Sequence, residues 1–280
     1  MVIIKHISLI EELLASPNYP ALSRGFVPTM GALHAGHLSL IEKSKSENQH
    51  TIASIFINPT QFNHAADFEK YPVTVERDIE MLEASGCDLL FLPTIKEMYP
   101  DSELLKKYDL GYLETILEGK YRPGHFEGVC QIVDKLLAIV KPSALYLGQK
   151  DYQQCLVITK LIEITGYPVA LHTCPTLREP DGLAMSSRNT RLNKTERQQA
   201  VTIIHCLQKI KALIKPGDTH GIIFDSIAAL QQAGFTVDYV SIANAETLEA
   251  VNEWDGEEKI VGLVAAYLNE IRLIDNLPIN

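Results

Sequence analysis

The chain has 280 residues, of which 46% are hydrophobic and 21% charged, and its formal net charge is −10. This length suits one large domain or two modest ones, and the composition is that of an ordinary globular protein. The negative charge argues against a protein that holds nucleic acid by general electrostatics, so an anionic substrate needs a local cluster of positive groups.

Cysteine content and apolar patterning indicate the compartment. The five scattered cysteines form no Cys-x-x-Cys pair, which predicts reduced, mostly buried thiols and argues against a zinc site. No apolar run approaches membrane-spanning length, and the first residues lack the features of a signal peptide. We therefore expect a cytoplasmic protein without a membrane or nucleic-acid partner.

The first two-thirds of the chain alternate short β-rich runs with amphipathic helical patterns. Strands are predicted at residues 25–27, 51–57, 88–92, 144–147 and 169–172. Helices are predicted at residues 38–45, 75–82, 129–140 and 152–165. Pro142 stops the third helix and Gly166 is a C-cap for the fourth. This alternation predicts an α/β fold, a parallel sheet covered by helices on both faces.

After about Thr176 the pattern changes. Helical runs at 195–213 and 221–233 surround a break at 215–218, and β-type segments follow at 237–243, 259–267 and 271–274. Helices followed by closely spaced strands predict a small α+β domain with an antiparallel sheet. We therefore predict two domains, residues 1–176 and 177–280.

The most informative motif is Pro-Thr-Met-Gly-Ala-Leu-His-Ala-Gly-His at residues 28–37, between a predicted strand and a predicted helix. Helix N-terminal N–H groups favour anions, glycine lets the backbone approach a ligand, and imidazoles can donate to phosphate oxygens. His-x-Gly-His in this context is typical of nucleotidyl-transferring α/β enzymes that attack the α-phosphate of ATP. The alternative is two surface histidines, His34 and His37, in a loop.

A second motif, Met-Ser-Ser-Arg-Asn at 185–189, follows an Asp-Gly pair at 181–182. Hydroxyls and a guanidinium on a mobile loop suit phosphate binding, whereas the motif alone is also typical of helix capping. With His34 and His37, it resembles the His-Ile-Gly-His and Lys-Met-Ser-Lys-Ser pair of adenylate-forming enzymes. Ala184 and Ser187 stand at the lysine positions of that pair, so the ammonium group must come from elsewhere.

Gly148-Gln149-Lys150-Asp151, between a predicted strand and helix, supplies a candidate. Gly148 allows close backbone approach, Lys150 projects a cation towards a phosphate, and Asp151 could accept from a ribose hydroxyl or orient Lys150. The alternative is a glycine turn followed by an aspartate helix cap.

Two amides and one arginine are candidates for binding a small acid. Gln61 follows the second predicted strand, and Gln154 lies one turn into the helix after Lys150. Amides bind hydroxyls and carboxylates without adding charge. Arg122 either neutralises an anion or forms a salt bridge in a surface turn.

The chain resembles the pantothenate synthetases, the AMP-forming pantoate–β-alanine ligases, nearly from end to end. The ordered matches lie at 28–37, 58–62, 71–72, 122–126, 148–154 and 175–189. The resemblance implies a Rossmann-like N-terminal domain, a smaller C-terminal lid domain and a homodimer formed through the N-terminal domains. Val73 stands where the family usually has arginine, and Leu177 replaces a common valine.

Carried over by position, the resemblance implies a set of site residues. The ATP site comprises Met30, Gly31, Ala32, Leu33, His34, Ala35, Gly36, His37, Gly148, Gln149, Lys150, Asp151, Leu177, Met185, Ser186, Ser187 and Arg188. Gln61 and Gln154 bind pantoate, with Gln61 also near β-alanine, and His37 is the proton donor. The groups suited to positioning and charge neutralisation are His34, His37, Lys150, Ser186, Ser187 and Arg188.

The implied reaction has two steps. The pantoate carboxylate attacks the α-phosphorus of Mg-ATP, giving pantoyl adenylate and pyrophosphate, and the β-alanine amine then releases pantothenate and AMP. Mg²⁺ would sit mostly on phosphate and water oxygens, with Asp78 as a candidate carboxylate and a solvent-facing helix residue as the alternative.

Three other functions fit the sequence less well. Another adenylyltransferase of the same superfamily, acting on a small acid or phosphate ester, is disfavoured by Gln61 and Gln154 and by the absence of features for binding a second nucleotide. A tRNA synthetase is disfavoured by the short, acidic chain, and a catalytically dead nucleotide sensor by the presence of His34, His37, Lys150 and Arg188.

Overall fold

The computed structural model describes residues 1–63, 68–100 and 105–280. The chain forms two compact units: Met1–Gly148 with Gln154–Pro175, and Gln149–Gln153 with Thr176–Asn280. The predicted domain limits differ from this division by the short segment Gln149–Gln153 and by Thr176, and the assignment of domains stays a prediction.

Parallel strands form the centre of the first unit. They are β1 (Val2–Ile4), β2 (Arg24–Thr29), β3 (His50–Ile55), β4 (Leu89–Phe91), β5 (Ala144–Gly148) and β6 (Ala170–Cys174). In the described ranges they make one sheet of order β1-β4-β3-β2-β5-β6, with every pairing parallel. The predicted parallel sheet is confirmed. The prediction missed β1, whose three residues alternate too briefly and are too exposed to give a buried run.

Helices connect these strands. They are α1 (Ile7–Leu14), α2 (Ala35–Glu47), α3 (Val75–Ala84), α4 (Ile95–Met98), α5 (Leu117–Tyr121), α6 (His125–Val140) and α7 (Tyr152–Thr165). The helix predicted at 152–165 is confirmed, and Gly166 follows it with φ +69°. None of the helices in the described ranges is long and apolar enough to cross a membrane.

Helices cover both faces of the sheet, because side chains on a strand alternate between its two faces. On β2, Phe26 belongs to a buried cluster that contains side chains of α1, α6 and α7, whereas its neighbour Val27 belongs to one that contains side chains of α2 and α3. Both residues are fully buried. The doubly wound arrangement predicted from the apolar runs is therefore present.

The strand order reverses between β2 and β5. From β2 the chain continues to β3 on one side, and from β5 it continues to β6 on the other. Ligands of doubly wound sheets bind outside the carboxyl ends of the strands at such a switch point. At that end β2 leads into residues 30–37 and β5 leads into Gln149–Asp151, two segments that the sequence predicts for the ATP site.

The second unit combines helices with antiparallel strands. Its helices are α8 (Lys194–Ala200), α9 (Thr202–Leu213) and α10 (His220–Gln232). Its strands are β7 (Gly217–Asp218), β8 (Phe235–Asn244), β9 (Glu253–Trp254), β10 (Ile260–Leu268) and β11 (Ile271–Pro278). The sheet of order β11-β10-β8 is antiparallel, as predicted. The helix predicted at 195–213 is divided at Val201, a break that apolar spacing alone does not reveal.

Candidate active site

A tight turn carries the chain from β2 into α2. Gly31 has φ +79° and Ala32 has φ +49°, so two successive residues adopt left-handed backbone conformations. Such a conformation is easy for glycine but strained for alanine, and it persists only where the surroundings hold it. The Thr29 hydroxyl accepts a hydrogen bond from the Gly31 N–H at 3.2 Å. The turn therefore depends on side chains outside it.

Asp78 of α3 supplies the main support for this turn. Its Oδ2 accepts from the Ala32 N–H and its Oδ1 from the Leu33 N–H, both at 2.8 Å, and the Thr74 hydroxyl donates to Oδ1 at 3.1 Å. Asp78 is only 1% exposed, so the alternative of a solvent-facing helix residue is wrong. A Cβ atom on Gly31 would lie 3.0 Å from Oδ2, which explains why glycine stands there.

His34 and His37 cap the N-terminus of α2 reciprocally. The Gly36 N–H donates to Nδ1 of His34 at 3.2 Å, and the His34 N–H donates to Nδ1 of His37 at 3.3 Å. The two ring centroids are 4.1 Å apart. Because both Nδ1 atoms accept, each neutral imidazole carries its proton on Nε2 and is a donor there. The histidines therefore stand at the helix N-terminus, as predicted, rather than in a surface loop.

Gln61 lies in the 3₁₀ turn Pro59–Gln61 that follows β3. Its Nε2 is 2.8 Å from Sδ of Met30, and its Oε1 accepts from Nδ2 of Asn58 at 3.1 Å. Asn58, which is 1% exposed, also donates to the Gly128 carbonyl oxygen at 3.0 Å. The structure thus brings together two residues predicted for different ligands, Met30 for ATP and Gln61 for pantoate.

Arg122 and His125 extend this network. His125 donates from Nδ1 to the Gln61 carbonyl oxygen at 2.8 Å, and Arg122 Nη1 donates to Nε2 of His125 at 3.0 Å. The carbonyl can only accept and the guanidinium can only donate, so His125 is the neutral Nδ1–H tautomer. Arg122 also lies 3.6 Å from Oε2 of Glu118, which is buried. The salt-bridge alternative for Arg122 thus holds in part, but with a buried carboxylate.

Sequence reasoning missed the roles of Asn58, Asp78 and His125 in shaping this region. Asn58 and His125 lie inside segments that match the family, 58–62 and 122–126, and this match could have indicated their roles. Asp78 gave no such signal, because its backbone partners Ala32 and Leu33 are 46 and 45 residues away along the chain.

Lys150 lies in the 3₁₀ helix Gln149–Asp151, directly after β5. Its side chain is 18% exposed, and its Nζ is 4.0 Å from Oδ1 of Asp151, whose side chain is 49% exposed. The separation is compatible with the predicted orienting role of Asp151, and it is weak as an ion pair. Gln154 follows in the first turn of α7 and is half-buried.

The second motif forms an ordered turn in the second unit. Ser186 caps the 3₁₀ helix Ser187–Arg191, and its hydroxyl accepts from the Arg188 N–H at 3.3 Å. Met185 donates its N–H to the Leu177 carbonyl oxygen at 3.0 Å, so these two residues of the predicted ATP site are neighbours. The capping alternative is therefore correct for Ser186, and it fixes the backbone that presents Arg188.

Each compact unit contains part of the predicted site. The first contains Met30–His37, Gly148, Gln61, Arg122, Asp78 and Gln154. The second contains Gln149–Asp151, Leu177 and Met185–Arg188. Within the described ranges, no group of three or more His, Cys, Asp or Glu side chains is arranged to hold a metal ion.

Comparison with known proteins decides the family. The family model described as pantoate-beta-alanine ligase matches residues 2–278. The chain belongs to the pantoate–β-alanine ligase family. Curated relatives of this ligase include the pantothenate synthetase of Cytophaga hutchinsonii, 43% identical with 100% of this chain and 99% of that protein covered. The pantothenate synthetase of Acetivibrio thermocellus is 44% identical, with 99% of each chain covered.

Solved structures of relatives share the fold of this ligase. The pantothenate synthetase of Thermus thermophilus gives a TM-score of 0.89 at 37% identity, covering 100% of this chain and 99% of that one. The pantoate–β-alanine ligase of Francisella tularensis, solved in complex with β-γ ATP and β-alanine, gives a TM-score of 0.85 at 38% identity. That comparison covers 99% of this ligase and 97% of the other chain.

Proposed function

We propose that this ligase joins pantoate to β-alanine in an ATP-dependent reaction that proceeds through pantoyl adenylate. A pantoate carboxylate oxygen forms a bond to the α-phosphorus, and the α–β bridging P–O bond breaks to release pyrophosphate. The β-alanine amine then attacks the acyl carbon, loses a proton and displaces AMP. The observation that carries the proposal is the reciprocal histidine cap of α2, which places two imidazole donors at a helix N-terminus beside the switch point.

The ATP-binding role of Met30–His37 is supported by the local geometry. Polyphosphate is favoured at a helix N-terminus because N–H groups and the macrodipole point at it. The Nε2–H groups of His34 and His37 add side-chain donors at the same place. In this proposal His37 protonates the departing pyrophosphate as an imidazolium, a form in which its Nδ1 carries a hydrogen and no longer accepts from the His34 N–H, and His34 mainly holds ATP.

Lys150, Ser186, Ser187 and Arg188 are proposed to neutralise the charge that grows on the phosphates. An ammonium and a guanidinium stabilise a charged transition state when they are held in position before the reaction. The Lys150 side chain is only 18% exposed and the Ser186 cap fixes the Arg188 backbone, which supports this proposal. Leu177, Gln149 and Asp151 complete the proposed nucleotide site.

Gln61 and Gln154 are proposed to bind pantoate, and Arg122 to stabilise the acid. Support comes from the network in which Arg122, His125 and the Gln61 backbone are joined by hydrogen bonds of 3.0 and 2.8 Å. This arrangement fixes the backbone of the turn that carries the Gln61 side chain, and it places the Arg122 guanidinium one residue away through His125. A substitution that removes the charge of Arg122 should therefore disturb the Pro59–Gln61 turn through His125.

Mg²⁺ is proposed to accompany ATP. Magnesium keeps several waters and binds through one or two carboxylates together with substrate phosphates, so it needs no protein cluster of its own. The sequence predicts Asp78 as a carboxylate for the ion, but both of its oxygens accept from backbone N–H groups, those of Ala32 and Leu33. In this proposal Asp78 therefore supports the turn that binds phosphate instead of binding the ion.

We also propose a cytoplasmic homodimer. The family resemblance supports the dimer, and light scattering should give about twice the chain mass of 31.2 kDa. The reducing compartment is supported by the five cysteines, all of which are free and buried. A monomeric mass would remove the dimer from the proposal and leave the reaction untouched.

Isotope transfer tests the reaction. Pantoate labelled with oxygen-18 in its carboxylate should deliver one label to AMP, because that oxygen bridges carbon and phosphorus in the adenylate. Pantoate and ATP without β-alanine should already release pyrophosphate in a single turnover. Label found in inorganic phosphate would indicate an acyl phosphate and contradict the proposal.

A further inference from the structure

Two adjacent residues of β11 contact both nucleotide-binding segments of the second unit. Asp275 and Asn276 are 4% and 2% exposed, although both are polar. They lie opposite Val264 and Leu263 of β10 in the antiparallel sheet. Buried polar side chains need hydrogen-bond partners, so the partners of these two residues show which segments they hold in place.

Asn276 binds the turn that carries Lys150. Its Nδ2 donates to the carbonyl oxygens of Gln149 at 2.9 Å and Lys150 at 2.8 Å, and its Oδ1 accepts from Nε2 of Gln149 at 3.2 Å. Two carbonyl oxygens therefore share the two hydrogens of one amide. Asparagine has the donors and the acceptor that this turn requires, and an aspartate carboxylate has no donor at all.

Asp275 acts through Arg178 on the second segment, Leu177–Arg188. Arg178 donates to Asp275 from Nη1 at 2.6 Å and from Nη2 at 3.0 Å, a bidentate pair, and also to the Asn276 carbonyl oxygen at 3.1 Å. Burial raises the pKa of the Asp275 carboxyl, and the Arg178 guanidinium opposes that shift. A carboxylate buried this deeply is retained only with such a partner.

Arg178 in turn fixes the segment between Leu177 and Arg188. It pairs with Ala184 through an antiparallel bridge, and its Nη1 donates to the Gly182 carbonyl oxygen at 3.1 Å. Immediately outside this bridge, the Met185 N–H donates to the Leu177 carbonyl oxygen. The position of Arg178 thus sets the backbone of both predicted ATP-binding stretches in this segment.

We propose that Asp275 and Asn276 are positioning residues that hold Gln149–Asp151 and Leu177–Arg188 in fixed relation, so that both segments engage one ATP molecule. The adjacent placement on one strand makes the two contacts interdependent. The Asn276 N–H donates to Oδ1 of Asp275 at 2.8 Å, which links the two side-chain systems directly. This inference rests on the proposed function, because it takes these segments to bind ATP.

The test compares Asn276→Ala with Asn276→Asp. Alanine leaves a gap that water can enter, whereas aspartate, nearly the same size as asparagine, places a carboxylate against two carbonyl oxygens. The KM for ATP should rise about tenfold in Asn276→Ala and further in Asn276→Asp. The KM for pantoate should stay unchanged, because Gln61 and Gln154 lie in the other unit.

The matched control is Thr219→Val. Thr219 is 1% exposed, lies in the same unit, and donates its hydroxyl hydrogen to the Val251 carbonyl oxygen at 2.8 Å. This variant should lower the melting temperature without changing the KM for ATP. A packing role for Asn276 would reverse the order of its variants, leaving aspartate near wild type and alanine impaired, and would overturn the proposal.

A readout independent of activity separates this inference from the proposed function. Hydrogen–deuterium exchange should be faster in peptides covering residues 149–153 in Asn276→Ala, and unchanged there in Thr219→Val. Asp275→Asn, which keeps the shape but removes the charge, should speed exchange in peptides covering 177–188. If wild type releases no pyrophosphate from pantoate and ATP, the proposed function fails and the exchange data still decide the positioning role. Unchanged exchange in both segments would refute the positioning role of Asp275 and Asn276.

Discussion

At the residue scale, the turn proposed to bind phosphate depends on a buried carboxylate, that of Asp78, as well as on Gly31. Ala32 adopts φ +49° although it has a side chain, and its N–H is held by Asp78. The next N–H, that of Leu33, is held by the other carboxylate oxygen. Charge-assisted hydrogen bonds to two successive N–H groups can offset the cost of the strained backbone. The backbone that leads into His34 is therefore held by a side chain of α3.

Asp78→Asn should weaken ATP binding without changing the dependence on Mg²⁺. The amide keeps one acceptor oxygen but turns an NH₂ group towards a backbone N–H, so the turn loses one hydrogen bond and gains a repulsive contact. We expect the KM for ATP to rise by about tenfold or more at every Mg²⁺ concentration. Initial rates measured over a grid of ATP and Mg²⁺ concentrations check this.

The control for Asp78→Asn is Glu80→Gln, which removes an exposed carboxylate from the same helix. It should leave both dependences at their wild-type values. Recovery of the Asp78→Asn rate at high Mg²⁺ would instead assign the carboxylate to the metal.

Local sequence patterns predict much of the fold. The residues that support the candidate site, in contrast, act through contacts between positions that lie far apart in the chain. Apolar periodicity is a short-range signal, so the parallel sheet and helices such as Tyr152–Thr165 were predicted from neighbours along the chain. The Asn276 contacts join residues 126 and 127 positions apart, and no pattern in one sequence shows such a pairing. Polar residues that support the candidate site through such long-range contacts therefore escaped prediction, whereas the residues proposed to bind ligands lie in recognisable motifs.

At the element scale, the approach of α6 to the Pro59–Gln61 turn positions the Gln61 side chain. The helix comes so close that a Cβ atom on Gly128 would lie 2.4 Å from the Thr60 carbonyl oxygen and 2.8 Å from the Gln61 nitrogen. Both atoms belong to the backbone, which cannot rotate away as a side chain can. Asn58 joins the two elements by donating to the Gly128 carbonyl oxygen. The glycine is thus required for a close contact between elements.

Gly128→Ala should move this turn and weaken pantoate binding. The added methyl group would force the turn away from α6, destabilising the protein by about 1–3 kcal/mol. The KM for pantoate should rise while the KM for ATP changes little. Urea unfolding and steady-state kinetics measure the two effects.

Gly221→Ala is the matched control for Gly128→Ala. Gly221 also lies in a helix, α10, but a Cβ atom there meets nothing within 4 Å. Alanine at this position should be neutral or stabilise the protein by up to about 1 kcal/mol, from helix propensity alone. If Gly128→Ala behaved in the same way, the close approach of α6 would not matter for the turn.

At the scale of the whole molecule, the cysteines are distributed among all of the buried clusters. Cys130 and Cys155 lie in the cluster that contains Phe26, Cys87 and Cys174 in the one that contains Val27, and Cys206 in the core of the second unit. All five are free and buried. The prediction of mostly buried thiols is confirmed, and each thiol reports on one cluster.

Thiol alkylation should therefore follow the opening of each core. Burial raises the pKa of Cys87 to about 11 and that of Cys130 to about 12, so at pH 8 these groups are almost entirely the unreactive thiol. In the native protein we expect labelling by iodoacetamide to be at least about a hundredfold slower than for an exposed cysteine. In increasing denaturant, mass spectrometry of the peptides should show Cys206 following the second unit and the other thiols following the first. Leu22→Cys, at a position 93% exposed, supplies the fast reference within the folded chain. Native labelling of Cys87 or Cys130 at the rate of that reference would show that its cluster opens freely, against the packing described above.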